Sequence, residues 1–139
     1  MQSRWISDQW GTKLALLIPR GSTIEKNDFL TDSKDSLQIG LQTRGPDSPV
    51  KAHRHPDYSR TIKNTWEVLF FVQGEARCSI LDDHNETIEI LSCNEGDFLI
   101  FLAGGHAIEF IGEVKFIEFK QGPYNSNQDK LYLNSETEN

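Results

Sequence analysis

The sequence predicts an all-β sandwich or barrel, and three observations carry that prediction. Short apolar runs rich in Val, Ile, Leu and Phe recur about every ten residues, and Gly, Asp, Asn or Pro bounds each of them. Helix-start signals are sparse, confined to Ser22-Thr23-Ile24-Glu25-Lys26-Asn27-Asp28 and the stretch after Gln128, either of which suits a turn or two.

Nine strands are expected in chain order, over residues 14–18, 37–43, 50–55, 66–73, 76–81, 87–93, 97–102, 106–111 and 114–120. Gly74 separates the fourth from the fifth, and the polar run Asp82-Asp83-His84-Asn85-Glu86 separates the fifth from the sixth. Gly112-Glu113 suits a tight type II′ hairpin between the last two. The runs Trp66 to Val72 and Phe98 to Leu102 are apolar at both parities, so both faces of those strands must be covered. Either the N-terminal strands or a second subunit covers the outer face, and a homodimer is expected.

With 139 residues the chain makes one domain, able to bury roughly 65–70% of the surface its unfolded form exposes. That domain is expected over 1–133, with 134–139 a disordered polar tail. The 14 basic residues against 21 acidic ones give a net charge of −7 without a basic cluster, which argues against nucleic acid and against a membrane surface as partners. Met1-Gln2-Ser3-Arg4-Trp5 leads into no signal-type apolar run, so the protein is expected to be cytoplasmic. Cys78 and Cys93 lie inside apolar runs without a Cys-x-x-Cys pairing, which suits buried free thiols.

Four residues have metal-ligand character. His53 and His55 in Lys51-Ala52-His53-Arg54-His55 stand two apart, which on a strand puts both imidazoles on one face. His106 follows Ala103-Gly104-Gly105, a stretch that lets backbone pass close to a site. Glu67 is the one acid in its apolar strand, and burying an ionised carboxylate is costly without a cationic or protonated partner. The spacing leaves two readings open: a divalent-metal site, or four unconnected surface and strand-end residues.

The order His53-x-His55, then Glu67 and Gly74, then Gly96-Asp97 leading through Leu102-Ala103-Gly104 to His106, resembles the two motifs of the cupin superfamily. The resemblance spans roughly residues 51–121. It implies an antiparallel jelly-roll β-barrel, with His53, His55, Glu67 and His106 as ligands of Fe, Mn, Ni, Zn or another divalent transition metal inside it. Eleven residues separate His55 from Glu67, more than is usual in that superfamily, and Leu102 stands where proline is usual. The stretch from Phe101 to His106, with Ile117-Glu118-Phe119-Lys120-Gln121-Gly122-Pro123-Tyr124 and Asp129-Lys130, is similar to small single-domain cupins encoded among surface-polysaccharide or nucleotide-sugar genes.

The function expected from this resemblance is that of a metal-binding cupin acting on a small molecule, a carbohydrate or nucleotide-sugar derivative. One alternative is a metal-free epimerase or ketoisomerase, with His53, His55 or His106 as base and Tyr58 or Tyr124 as acid. The other is a sugar-binding module without turnover. Residues 56–65 then form a loop at the barrel mouth, where Tyr58, Arg60 and Lys63 either meet an anionic substrate or face solvent. Lys130 and Asp129 are either site residues or a surface ion pair.

Overall fold

The computed structural model of the chain describes residues 2–23 and 28–133. Among the described residues there are eight strands: β1 (Arg4–Ser7), β2 (Lys13–Ile18), β3 (Asp28–Phe29), β4 (Gly40–Leu41), β5 (Glu67–Leu81), β6 (Thr87–Cys93), β7 (Phe98–Phe101) and β8 (Gly105–Lys120). All pairings are antiparallel, and no α-helix occurs among the described residues. The helical turns expected near Ser22 and after Gln128 are absent from the described parts of those stretches; residues 24–27 and the tail 134–139 lie outside them.

One sheet runs β1-β2-β7-β5-β6, with β8 on the other side of β5, and β3 pairs with β4 as a separate ribbon. The sheet curls into a half-barrel. Its end strands β1 and β6 are tied together by a two-pronged ion pair of the Arg4 guanidinium with Glu89, so the curl brings opposite ends of the strand order into contact. Within the curl, Ile6 of β1, Leu17 of β2, Leu69 and Phe71 of β5, Leu91 of β6 and Leu99 of β7 share one apolar cluster. Strand alternation explains the membership, because every second residue of each strand faces inward.

The bending element is the β5–β8 ribbon. The sequence reading separates two strands at Gly74 and two more at Gly112; the structure instead continues β5 through Gly74 and β8 through Gly112. Both glycines have positive φ, 87° and 78°, and the register shifts on either side of Gln73. These are bulges that turn the ribbon, not turns that end it. On one side of the bend β5 pairs with β7, over Glu67 to Phe70, and beyond it with β6, over Ala76 to Leu81.

Two-sided apolarity in the middle strands is satisfied by the chain itself. The outward residues Leu16, Ile18, Ile100 and Leu102, with Trp66, form a second cluster covered by Trp5, Leu30, Leu37, Ile39 and Leu41. The expected strand over 37–43 shrinks to Gly40–Leu41, because that stretch acts mainly as an apolar cover. The expected strand over 50–55 is not formed; the stretch is exposed and irregular. The acidic turn after β5 is as expected: Asp82 Oδ1 accepts hydrogen bonds from the His84 and Glu86 amides, and Asn85 takes φ 65°. Cys78 and Cys93 are buried free thiols.

The bend makes a graded prediction. A Cβ at Gly74 would lie 2.6 Å from the Glu113 carbonyl oxygen, whereas one at Gly112 meets nothing within 4 Å. Gly112→Ala therefore costs only the left-handed backbone penalty, roughly 1–2 kcal/mol. Gly74→Ala costs clearly more, measured by urea denaturation of both variants.

Candidate functional site

In a flat antiparallel ribbon, Glu67 and His106 would be far apart. Glu67 pairs with Lys120 at one end and Ile80 with His106 at the other, a separation on the order of 40 Å along an extended strand. The bent ribbon brings them together: His106 Nε2 lies 3.6 Å from Glu67 Oε2. Both are on the inner face, as their neighbours Leu69 and Phe71 on β5 and Ile108 on β8 require by alternation.

Phe101, opposite Glu67 in β7, fixes the imidazole plane. The two rings stack with centroids 3.7 Å apart and planes within 6°. The approach to His106 depends on Gly104, whose φ is +68° and whose Cβ, if present, would lie 2.1 Å from the Leu81 carbonyl oxygen. Any side chain there would push β8 away from its pairing with the end of β5.

Charge surrounds the pair. Lys120 Nζ is 3.2 Å from Glu118 and 3.0 Å from Asp129, and the Lys120 and Asp129 side chains are 19% and 14% exposed. Burial pushes the Glu67 carboxyl above its ordinary range, Glu118 adds to the effect, and Lys120 and Lys130 oppose it. Burial pushes the His106 imidazole down, helped by the positive charge of Lys130 and opposed by Glu118. Both groups are thus driven toward their neutral forms, which leaves His106 with a free ring lone pair at neutral pH.

His53 and His55 lie elsewhere, in the exposed irregular stretch, with ring centroids 5.1 Å apart in an edge-on arrangement. His53 Nδ1 is 2.8 Å from the Lys51 carbonyl oxygen. A carbonyl only accepts, so Nδ1 donates to it, and Nε2 is the ring nitrogen outside that contact. The four residues expected as ligands therefore stand as two pairs, Glu67 with His106 and His53 with His55. Among the described residues no group of three or more His, Cys, Asp or Glu stands together as a cation site.

Tyr58 and Tyr124 are 64% and 73% exposed. The Arg60 guanidinium lies 3.5 Å from the Tyr58 ring centroid, and both line an open groove of about 520 Å³ with Lys34, Ser36 and Gln38. A second groove of about 440 Å³ lies on the outer face, floored by Ile18, Val68, Phe98 and Ile100. It holds no titratable group other than Arg20, so the Glu67–His106 pair and this apolar groove sit on opposite faces of the sheet.

The sequence reading did not single out Phe101, Glu118 or Lys120 as site residues, and it left Asp129 open as half of a surface pair. Alternation along β8 puts Glu118 and Lys120 on the face of His106 only if the strand runs unbroken through Gly112. No family model matches the chain, and neither a curated protein nor a solved structure matches it.

The shifts fix the sign of two pH dependences. The lowered His106 value means its stabilising contribution is present above the ordinary value of 6.5 and is lost as pH falls through the folded value. The raised Glu67 value acts oppositely: its contribution is present below 4.5 and is lost as pH rises through the folded value. Denaturation midpoints measured from pH 4 to 8 are expected to show the first loss vanish in His106→Gln and the second in Glu67→Gln.

Proposed function

We propose that this chain is a metal-binding cupin that acts on a small molecule of the carbohydrate or nucleotide-sugar class, at the inner mouth where Glu67 and His106 meet. The observation that carries the reading is their 3.6 Å approach on a half-buried inner face. Two ligands of one tetrahedral ion bound at ~2.0–2.1 Å stand roughly 3.4 Å apart, so this separation suits a shared cation. The donor chemistry suits one too: His106 has a neutral ring favoured by burial, and His53 keeps Nε2 outside the Lys51 contact. Beside Glu67 stand two further carboxylates, Glu118 and Asp129, and two ammonium groups, Lys120 and Lys130.

Glu67 and His106 would hold the ion, Fe, Mn, Ni or Zn, and His53 and His55 would join them only if the exposed stretch 51–63 moved to the mouth. Such an ion supplies Lewis-acid or oxygen-binding chemistry. Phe101 keeps the imidazole plane fixed and excludes water from one side of it.

A second reading is favoured by the opposed shifts of the pair. Without a metal, neutral His106 is a base for a C–H proton beside a carbonyl, and Glu67, easily protonated, returns one. That is the chemistry of an epimerase or ketoisomerase, with Tyr58 or Tyr124 as the expected alternative acids. The chain is also proposed to form a homodimer. Ile117 and Phe119, 47% and 53% exposed, lie on β8, which no strand other than β5 pairs among the described residues, and such an apolar edge suits a second copy.

Elemental analysis of protein purified without a chelator tests the leading reading. About one equivalent of transition metal is expected in the wild type, with affinity lowered roughly 100-fold or more in Glu67→Gln/His106→Gln. Protein that stays metal-free after anaerobic reconstitution with Fe(II), Mn(II), Ni(II) and Zn(II) overturns it and favours the proton-transfer reading. Light scattering checks the dimer, which Ile117→Lys/Phe119→Lys is expected to dissociate.

A further inference from the structure

The segment after β8 returns across the mouth of the site. Asp129 is anchored on Lys120, which pairs with Glu67 across the ribbon. Four residues later Leu133 lies over Gly105, the residue before His106; a Cβ on that glycine would be 3.0 Å from Leu133 Cδ1. A chain held at these two points crosses the place where Glu67 and His106 meet, and the residues between the anchors are Lys130, Leu131 and Tyr132.

Lys120 is committed, because two carboxylates share it. Lys130 is different: none of the ion pairs among the described residues involves it. We propose that residues 129–133 form a strap over the Glu67–His106 site and that Lys130 is its specificity-determining residue, recognising an anionic group, phosphate or carboxylate, on the small molecule bound there. The proposal deepens the function proposed above and rests on its placement of the site at that pair.

Two further facts agree with it. The charge of Lys130 is felt by both Glu67 and His106, although the two belong to strands distant in sequence. Leu131 and Tyr132, 88% and 83% exposed, make no packing contribution that would explain why the strap is held down. The anchors at Asp129 and Leu133 then serve to position the residue between them.

The test is titration of the full-length protein with inorganic phosphate, and separately with acetate, followed through the imidazole signals in ¹⁵N-histidine NMR spectra. Saturable shifts of the His106 signals are expected with at least one of the two anions, while those of His84, whose ring packs against Trp10 instead, stay fixed. Lys130→Gln is expected to weaken that binding at least tenfold, Lys130→Arg to restore most of it, and Asp129→Asn to weaken it by freeing the strap. Which anion saturates distinguishes a phosphorylated from a carboxylate ligand. No saturable shift with either anion, or equal affinity in Lys130→Gln, overturns the proposal. Metal content of the same Lys130→Gln sample keeps the two readings apart: loss of anion binding with metal retained supports both, metal retained with anion affinity unchanged removes only the strap's role, and a metal-free wild type removes the metal alone.

Discussion

The bend in the β5–β8 ribbon is the constraint on which the rest of the structure depends. Two strands of 15 and 16 residues would make a flat ladder too long for a domain of this size, and a flat ladder would leave its apolar face in water. Bulges at Gly74 and Gly112 fold the ladder over, so that β6 and β7 attach to the same side of β5 in succession. The inward residues of both halves then share one core, and the ion pair of Arg4 with Glu89 ties the outermost strands. An exposed ion pair of that kind contributes little, about 0–1 kcal/mol, so apolar burial holds the curl and the pair only marks where its ends arrive.

The same bend makes the candidate site. Glu67 and His106 are charged or polar residues at the two ends of one ribbon, each in a place where alternation demands an inward side chain. Flat pairing would leave both at solvent-facing ends at little cost. Folding the ribbon brings them together, half-buried, and the resulting desolvation moves both toward neutrality. Stability given up there is what leaves an imidazole lone pair beside a carboxyl group, an arrangement useful for holding a cation or moving a proton.

Much of this was legible in the chain. The all-β class, the strand over 87–93, the core of the strands near 14–18 and 97–102, and the Asp82 turn follow from periodicity and turn chemistry. The link of Glu67 with His106 was suggested by a resemblance, which implied a jelly-roll barrel; what stands is an antiparallel sheet curled as a half-barrel. Two features were illegible for a physical reason. Glycine has the same one-letter signal in a hairpin and in a bulge, so Gly74 and Gly112 read as strand ends. The stretch 50–55 has one β-branched residue, Val50, and pairs with no strand among the described residues, and a strand exists only through its partner. Lys120 and Glu118 were missed as site residues because their facing depends on β8 running unbroken through Gly112.

The most direct test of the account is whether the imidazole of His106 touches both Phe101 and Glu67 in solution. Nuclear Overhauser effects from the His106 ring protons to the Phe101 ring and to the Glu67 side-chain methylenes are predicted together, alongside cross-strand effects linking Ile80 with His106 and Glu67 with Lys120. Finding the cross-strand effects without the His106–Glu67 contact would mean an unfolded-over ribbon, and it would remove the site along with the bend.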